Sequence, residues 1–156
     1  KARLLGLGHS VTVASPGFLK KHGLPTSVRE LTALPCIALT SGRTPNQWPF
    51  RVGRKVSQLA INPVVSVNSM RLMAALAEGG VGDARVPEGL VGESLKRKRL
   101  ISLLPEAQPP PMPMHAVFTP AAQMSSRVRA FLEVLASHLS QLAPEKMGAA
   151  TRRRLR

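Results

Sequence analysis

The chain of 156 residues has one cysteine, no tyrosine, one tryptophan and four phenylalanines. A single cysteine excludes an internal disulfide, and Cys36, small, apolar and beside Ile37, reads as core rather than as a nucleophile. Acids are scarce as well, 8 against 22 Lys and Arg, for a formal charge of +14. No apolar run approaches the roughly 18 residues that a membrane-spanning helix needs. The opening KARLLGLGHS also lacks the apolar stretch of a signal peptide. These absences predict a soluble, cytoplasmic chain. His9, His22, His115 and His138 stand apart, with no cysteine or carboxylate at ligand spacing, so no metal is expected. No Gly-x-Ser-x-Gly elbow or ordered Ser, His and Asp constellation is present, so no enzyme is expected. Gly80-Val81-Gly82 lacks a third glycine and follows a helical pattern, which excludes a dinucleotide fingerprint, and no cofactor is expected.

What is present begins with a hydrophobic content of 44%, enough for one domain or two small lobes. The positive charge is concentrated. Lys96-Arg97-Lys98-Arg99 forms one run and Arg152, Arg153, Arg154 and Arg156 another; with those eight of the 22 basic residues set aside, 14 remain against 8 acids. An excess of six is ordinary for a soluble domain. The runs read as solvated surface or as phosphate contacts, and the first also complements the dipole at a helix C-terminus.

The most organised stretch is Val64 to Leu90, a βαβ unit. Val64 to Val67 is a strand, and Asn68 or Ser69 stands where an oxygen-bearing side chain caps a helix. The helix runs to about Ala77, with Met70, Met73 and Ala77, and Leu72 and Leu76, making a wide apolar face. Gly79 and Gly80 end it. Val81 to Val86 is a second strand, and Pro87 opens a helix that reaches about Leu95.

Upstream, Val11 to Val13 is a strand, Ser15-Pro16 starts a helix that Gly23 closes, and Ser27-x-x-Glu30 has capping-box spacing. Cys36 to Leu39 is a strand that leaves through Thr40-Ser41-Gly42. Trp48 to Val52 and Val56 to Ile61 alternate about Gly53-Arg54 as a hairpin, with Pro49 marking an edge strand. Downstream, Leu100 to Leu104 is a strand, Gln108 to Pro113 is stiff and extended, and Met114 to Phe118 is a strand. Ser125 or Ser126 caps a helix with Val128, Phe131, Leu132, Leu135, Leu139 and Leu142 in helical period. From Pro144 the chain reads as a disordered tail. Strands alternating with helices predict an α/β fold with a largely parallel sheet.

Six segments in one order resemble the effector-binding domain of LysR-type transcriptional regulators. They are Ala14-Ser15-Pro16 with Phe18-Leu19, His22-Gly23 and Pro25; Leu31, Cys36, Trp48 and Phe50; Asn68-Ser69 with its helix; Gly80-x-Gly82 with Pro87; Leu100 to Pro105; and Val128 to Leu132. The resemblance spans about Leu4 to Leu142. One segment departs from the family pattern, since Gly82-Asp83-Ala84-Arg85-Val86-Pro87 stands where an apolar strand resembling Gly-Ile-Ala-Leu-Leu-Pro is usual.

The resemblance implies a periplasmic-binding-protein type II-like α/β fold, two lobes joined by crossing strands with a ligand cleft between them. On that mapping residues 1–10 are a remnant of the first lobe and crossover. Residues 11–110 are a nearly complete second lobe, 111–143 the returning strand and C-terminal helix of the incomplete first lobe, and 144–156 a basic tail. A DNA-binding helix-turn-helix is then expected before Lys1. The implied partners are a small-molecule effector and, in the intact protein, DNA through that head and a second copy of the chain.

Thr40-Ser41 and Asn68-Ser69 follow strands at positions where the family's polar residues line the effector pocket, and where helix N-termini and strand ends receive polar ligands. Read without the resemblance, they are a turn and a helix cap. Asp83 and Arg85 project from one strand face, so that Arg85 is a candidate for an anionic effector, held in place by Asp83; an exposed ion pair is the plainer alternative. The resulting reading is an effector sensor of a LysR-type regulator. A basic nucleic-acid-associated protein using its Lys/Arg runs is the competing class, and a solute-binding protein of the same fold the third.

Overall fold

The computed structural model describes residues 2–40, 46–119 and 125–142, and the expected tail lies outside them. The chain divides into two compact units, Lys1–Gly8 with Pro111–Arg156, and His9–Pro110.

Within His9–Pro110 the order is β2 (Ser10–Ala14), α1 (Pro16–His22), α2 (Val28–Ala33), β3 (Pro35–Leu39), β4 (Gln47–Val52), β5 (Lys55–Ala60), β6 (Asn62–Val67), α3 (Met70–Glu78), β7 (Asp83–Pro87), α4 (Glu88–Lys96) and β8 (Ile101–Ser102). The five-stranded sheet has the order β6-β3-β7-β2-β8, and β4 and β5 form a separate hairpin. β3 is parallel to both β6 and β7, whereas β2 is antiparallel to both β7 and β8. The sheet is therefore mixed, not largely parallel. The β6-α3-β7 crossover does join two strands of one direction, with β3 seated between them.

Strand alternation sends side chains to two cores. Val11, Val13, Ile37, Ala84 and Val86 meet Met73, Ala74 and Ala77 of α3 and Val91 of α4 on one face. Ala14 and Cys36 meet Phe18, Leu19, Leu31, Trp48, Phe50, Leu103 and Leu104 on the other. The buried face of α3 is narrower than expected: Met70 and Leu72 are exposed, and Ala74 and Ala77 lie inward, where their small side chains bring the helix close to the sheet.

Local chemistry sets the helix ends. Ser15, Ser27 and Ser69 each accept a backbone N–H of the first turn, from Phe18, Glu30 and Leu72. The Glu30 carboxylate returns its bond to the Thr26 N–H at 2.8 Å, one residue earlier than a capping box requires. α3 ends in a Schellman motif: Gly80 has φ 78°, its N–H donates to the Ala77 carbonyl, and the Val81 N–H donates to that of Leu76. Pro87 is the N-cap of α4 rather than its first helical residue. Ser69→Ala is expected to cost about 1 kcal/mol, read as a lower urea midpoint at unchanged slope.

The expected strand at Leu100 to Leu104 shrinks to Ile101–Ser102, paired only with Val13 and Ala14. Beyond it Leu104 turns with φ 43° into a 3-10 turn at Pro105–Ala107.

The other unit holds β1 (Ala2–Gly8) antiparallel to β9 (Met112–Val117), with α5 (Ser126–Leu142) against β1. Met112 and Pro113, expected in the stiff segment, belong to β9. Leu132 is the buried anchor of α5, while Phe131 lies off the inward stripe and is 65% exposed. Among the described residues no helix is long and apolar enough to cross a membrane.

Candidate functional site

The parallel strands β3, β6 and β7 end at one edge of the sheet, and Thr40, Asn68 and Ser69 stand at that edge. The Thr40 N–H donates to the Val67 carbonyl at 2.8 Å, and its hydroxyl donates to the same oxygen at 3.3 Å. Thr40 is thereby tied to the residue before Asn68, and the two exposed side chains share one edge. Ser69 is half-buried, its hydroxyl engaged in capping α3. Ser41 lies outside the described residues.

Arg85 sits near the carboxyl end of β7 and is half-buried. Its Nε and Nη2 donate to the Ser10 hydroxyl at 3.3 and 3.4 Å, and Nη1 donates to the Pro49 carbonyl at 3.0 Å. Burial pulls its pKa down to about 10, which leaves it a cation at neutral pH. Among the described residues no carboxylate pairs with it. Asp83 does not hold it, contrary to expectation. Asp83 is fully buried, and its two carboxyl oxygens have no hydrogen-bond partner among the described residues. Its pKa is pushed up to about 8 by burial. An exposed ion pair is excluded by the same burial.

Cys36 lies opposite Asp83 across the β3–β7 ladder and is buried. Desolvation, and then the neighbouring carboxyl, push its thiol up to about 12, so it stays protonated. Among the described residues no cluster of His, Cys, Asp and Glu is arranged to hold a metal. The site presents hydroxyls, an amide and one guanidinium, groups able to hydrogen-bond a polar or anionic molecule. The residues that sequence reasoning missed are Ser10 and Pro49. Nothing local marks them, because the β2–β7 register and the seating of the hairpin bring them to Arg85.

Residues 1–140 match the LysR substrate binding domain family. The chain belongs to that family. This LysR substrate-binding domain is 32% identical over 133 residues to the HTH-type transcriptional regulator PtxR of Pseudomonas aeruginosa, an alignment covering 84% of the chain and 42% of PtxR. It is 30% identical to the HTH-type transcriptional regulator CrgA of Neisseria meningitidis serogroup C, covering 81% of the chain and 42% of CrgA. The chain thus spans less than half the length of these curated relatives. The solved regulatory domain of CrgA, a LysR-type transcriptional regulator from Neisseria meningitidis, superposes with a TM-score of 0.78 at 28% identity, covering 89% of the chain and 68% of that domain. The fold is accordingly the periplasmic-binding-protein type II-like fold of LysR regulatory domains, as the six segments imply.

Proposed function

We propose that this LysR substrate-binding domain is the sensing part of a transcriptional regulator. Its effector is a small molecule carrying an anionic group, received at the edge framed by Thr40, Asn68, Ser69 and Arg85. The observation that carries this reading is Arg85, a half-buried guanidinium whose described partners are a hydroxyl and a carbonyl, both neutral. A partly desolvated cation with neutral partners gains from an incoming carboxylate or phosphate through a charge-assisted, bidentate bond.

Thr40 and Asn68 would fix the rest of the ligand through hydrogen bonds. The N-terminus of α3, a helix of nine residues, adds a favourable dipole for negative charge. The hydroxyls, amide and guanidinium of the described residues suit binding. In this reading effector binding shifts the population of domain conformations, and that shift is communicated to a DNA-binding helix-turn-helix of the kind named in the relatives. The intact regulator would be a homo-oligomer, and DNA its second partner.

Calorimetric titration with a panel of small carboxylates and phosphates, each paired with its neutral amide or alcohol, tests the site. The expected result is that an anionic member binds, that its neutral counterpart binds at least tenfold more weakly, and that Arg85→Leu erases the difference. Unchanged affinity of the Arg85→Leu domain for the anionic member removes the proposal.

A further inference from the structure

The opposite edge of the five-stranded sheet carries a second constellation, independent of the sensing role. β2 runs antiparallel to β7, so Ala14 ends beside the amino end of β7. There α1 begins, α3 ends, and α4 runs out into the Lys96 to Arg99 stretch. Among these elements lies a concavity of about 480 Å³ whose lining includes Ser15, Lys21, Glu78, Gly80, Lys98 and Arg99.

The charges in it are unequal. Glu78 is the one acid of the lining, and it is already engaged, accepting from the Ser94 hydroxyl and lying 3.4 Å from Arg99 Nε. Arg99 Nη2 donates to the Ser94 hydroxyl at 3.1 Å, which holds the guanidinium at the wall. Lys21 and Lys98 have no ion-pair partner among the described residues. The ends of α3 and α4 need no side chain from these cations as a hydrogen-bond cap. The last carbonyls of α4 are capped by backbone, the Lys98 N–H donating to Leu95 and the Arg99 N–H to Ser94, and those of α3 are capped in the same way. Each C-terminus contributes only about half a negative charge.

Two further features single out the place. Ser15 is buried, and its oxygen accepts from the Phe18 N–H, which leaves the hydroxyl proton able to donate. Lys98 has φ 57° at the position after the helix cap where glycine is the usual residue. A side chain there costs on the order of 1 kcal/mol, and this one carries a charge to the rim of the concavity.

We propose that this concavity binds a small phosphorylated metabolite, its phosphate monoester held by Lys21, Lys98 and Arg99 with the Ser15 hydroxyl as a further donor. A dianion matches the two lysines that have no ion-pair partner among the described residues, and a phosphate has acceptor oxygens for all four groups.

The test is a nuclear magnetic resonance titration of the isotope-labelled chain with glycerol 3-phosphate, run beside sodium chloride at matched ionic strength. Saturable shifts are expected at the amides of Ser15, Gly80 and Lys98, with those of Thr40 and Asn68 unmoved. Lys98→Gly suits the left-handed backbone and therefore folds, and it is expected to weaken binding about tenfold, the loss of one charge-assisted bond. Lys21→Ala is expected to act in the same direction. Equal shifts with chloride, or undiminished binding by Lys98→Gly, overturn the proposal. A short DNA duplex that moves these amides when glycerol 3-phosphate does not also overturns it, and makes the patch a nucleic-acid contact.

Discussion

Asp83→Leu is expected to flatten the stability of the domain between pH 5.5 and 8.5, removing a loss of about 3 kcal/mol that the aspartate imposes across that range. The carboxyl is fully buried, opposite Cys36, with no hydrogen-bond partner among the described residues. Its folded pKa is pushed up to about 8 from an ordinary 3.8. A group that holds its proton more tightly when folded favours the folded state at low pH, and this advantage is lost as pH rises through the folded pKa. Each unit of difference corresponds to about 1.36 kcal/mol, so the loss between pH 5.5 and 8 sums to about 3 kcal/mol. Leucine replaces both oxygens by methyl groups on the same branching pattern and does not ionise. Urea unfolding of both chains at the two pH values measures the difference. Parallel pH profiles would mean that the carboxyl titrates as an exposed one and that the burial argument fails.

Gly82→Ala is expected to destabilise by about 3 kcal/mol, although the change adds one methyl group. A Cβ on Gly82 would stand 2.8 Å from the Pro35 carbonyl oxygen and 3.2 Å from Cys36 Cα. Both atoms are backbone of β3, and Cys36 is where the β3–β7 ladder starts, so relief requires parting the two strands. Gly92→Ala is the matched contrast. It lies within α4 and its Cβ would meet nothing within 4 Å. There the lower backbone entropy of alanine in the unfolded chain is expected to raise stability by about 1 kcal/mol. Both are read from urea unfolding, and equal effects of the two substitutions would refute the steric account.

The departure from the family pattern at Asp83 and Arg85 separates, in the fold, into two different matters. The sequence places the two residues on one strand face and so suggests that they act together. In the structure the carboxyl is fully buried beside Cys36, whereas the guanidinium reaches Ser10 and Pro49. Two positions along a strand are about 7 Å apart, enough for the two side chains to meet different surroundings.

Helix ends and hairpins were legible because their determinants are local. A serine oxygen, a proline or a glycine acts on the backbone within four residues, and Ser15, Ser27, Ser69 and Gly80 do so. β1 was not legible, since Ala2–Gly8 is a strand only by virtue of its pairing with β9, more than a hundred residues away. The apolar period of α3 and α5 was visible, but the exposure of Met70, Leu72 and Phe131 depends on which surface each helix meets.

The alternation of strands and helices, the family, and the polar residues that follow β3 and β6 can be read from the order of residues alone, since each is written in short-range patterns of burial and capping. Tertiary structure alone decided the mixed direction of the sheet, the joining of Thr40 to Val67, the partners of Arg85 and the gathering of Lys21, Lys98 and Arg99 around one concavity. The physical reason is that hydrogen bonds and charges act over a few ångströms of space, and only the fold converts distant positions in the chain into neighbours.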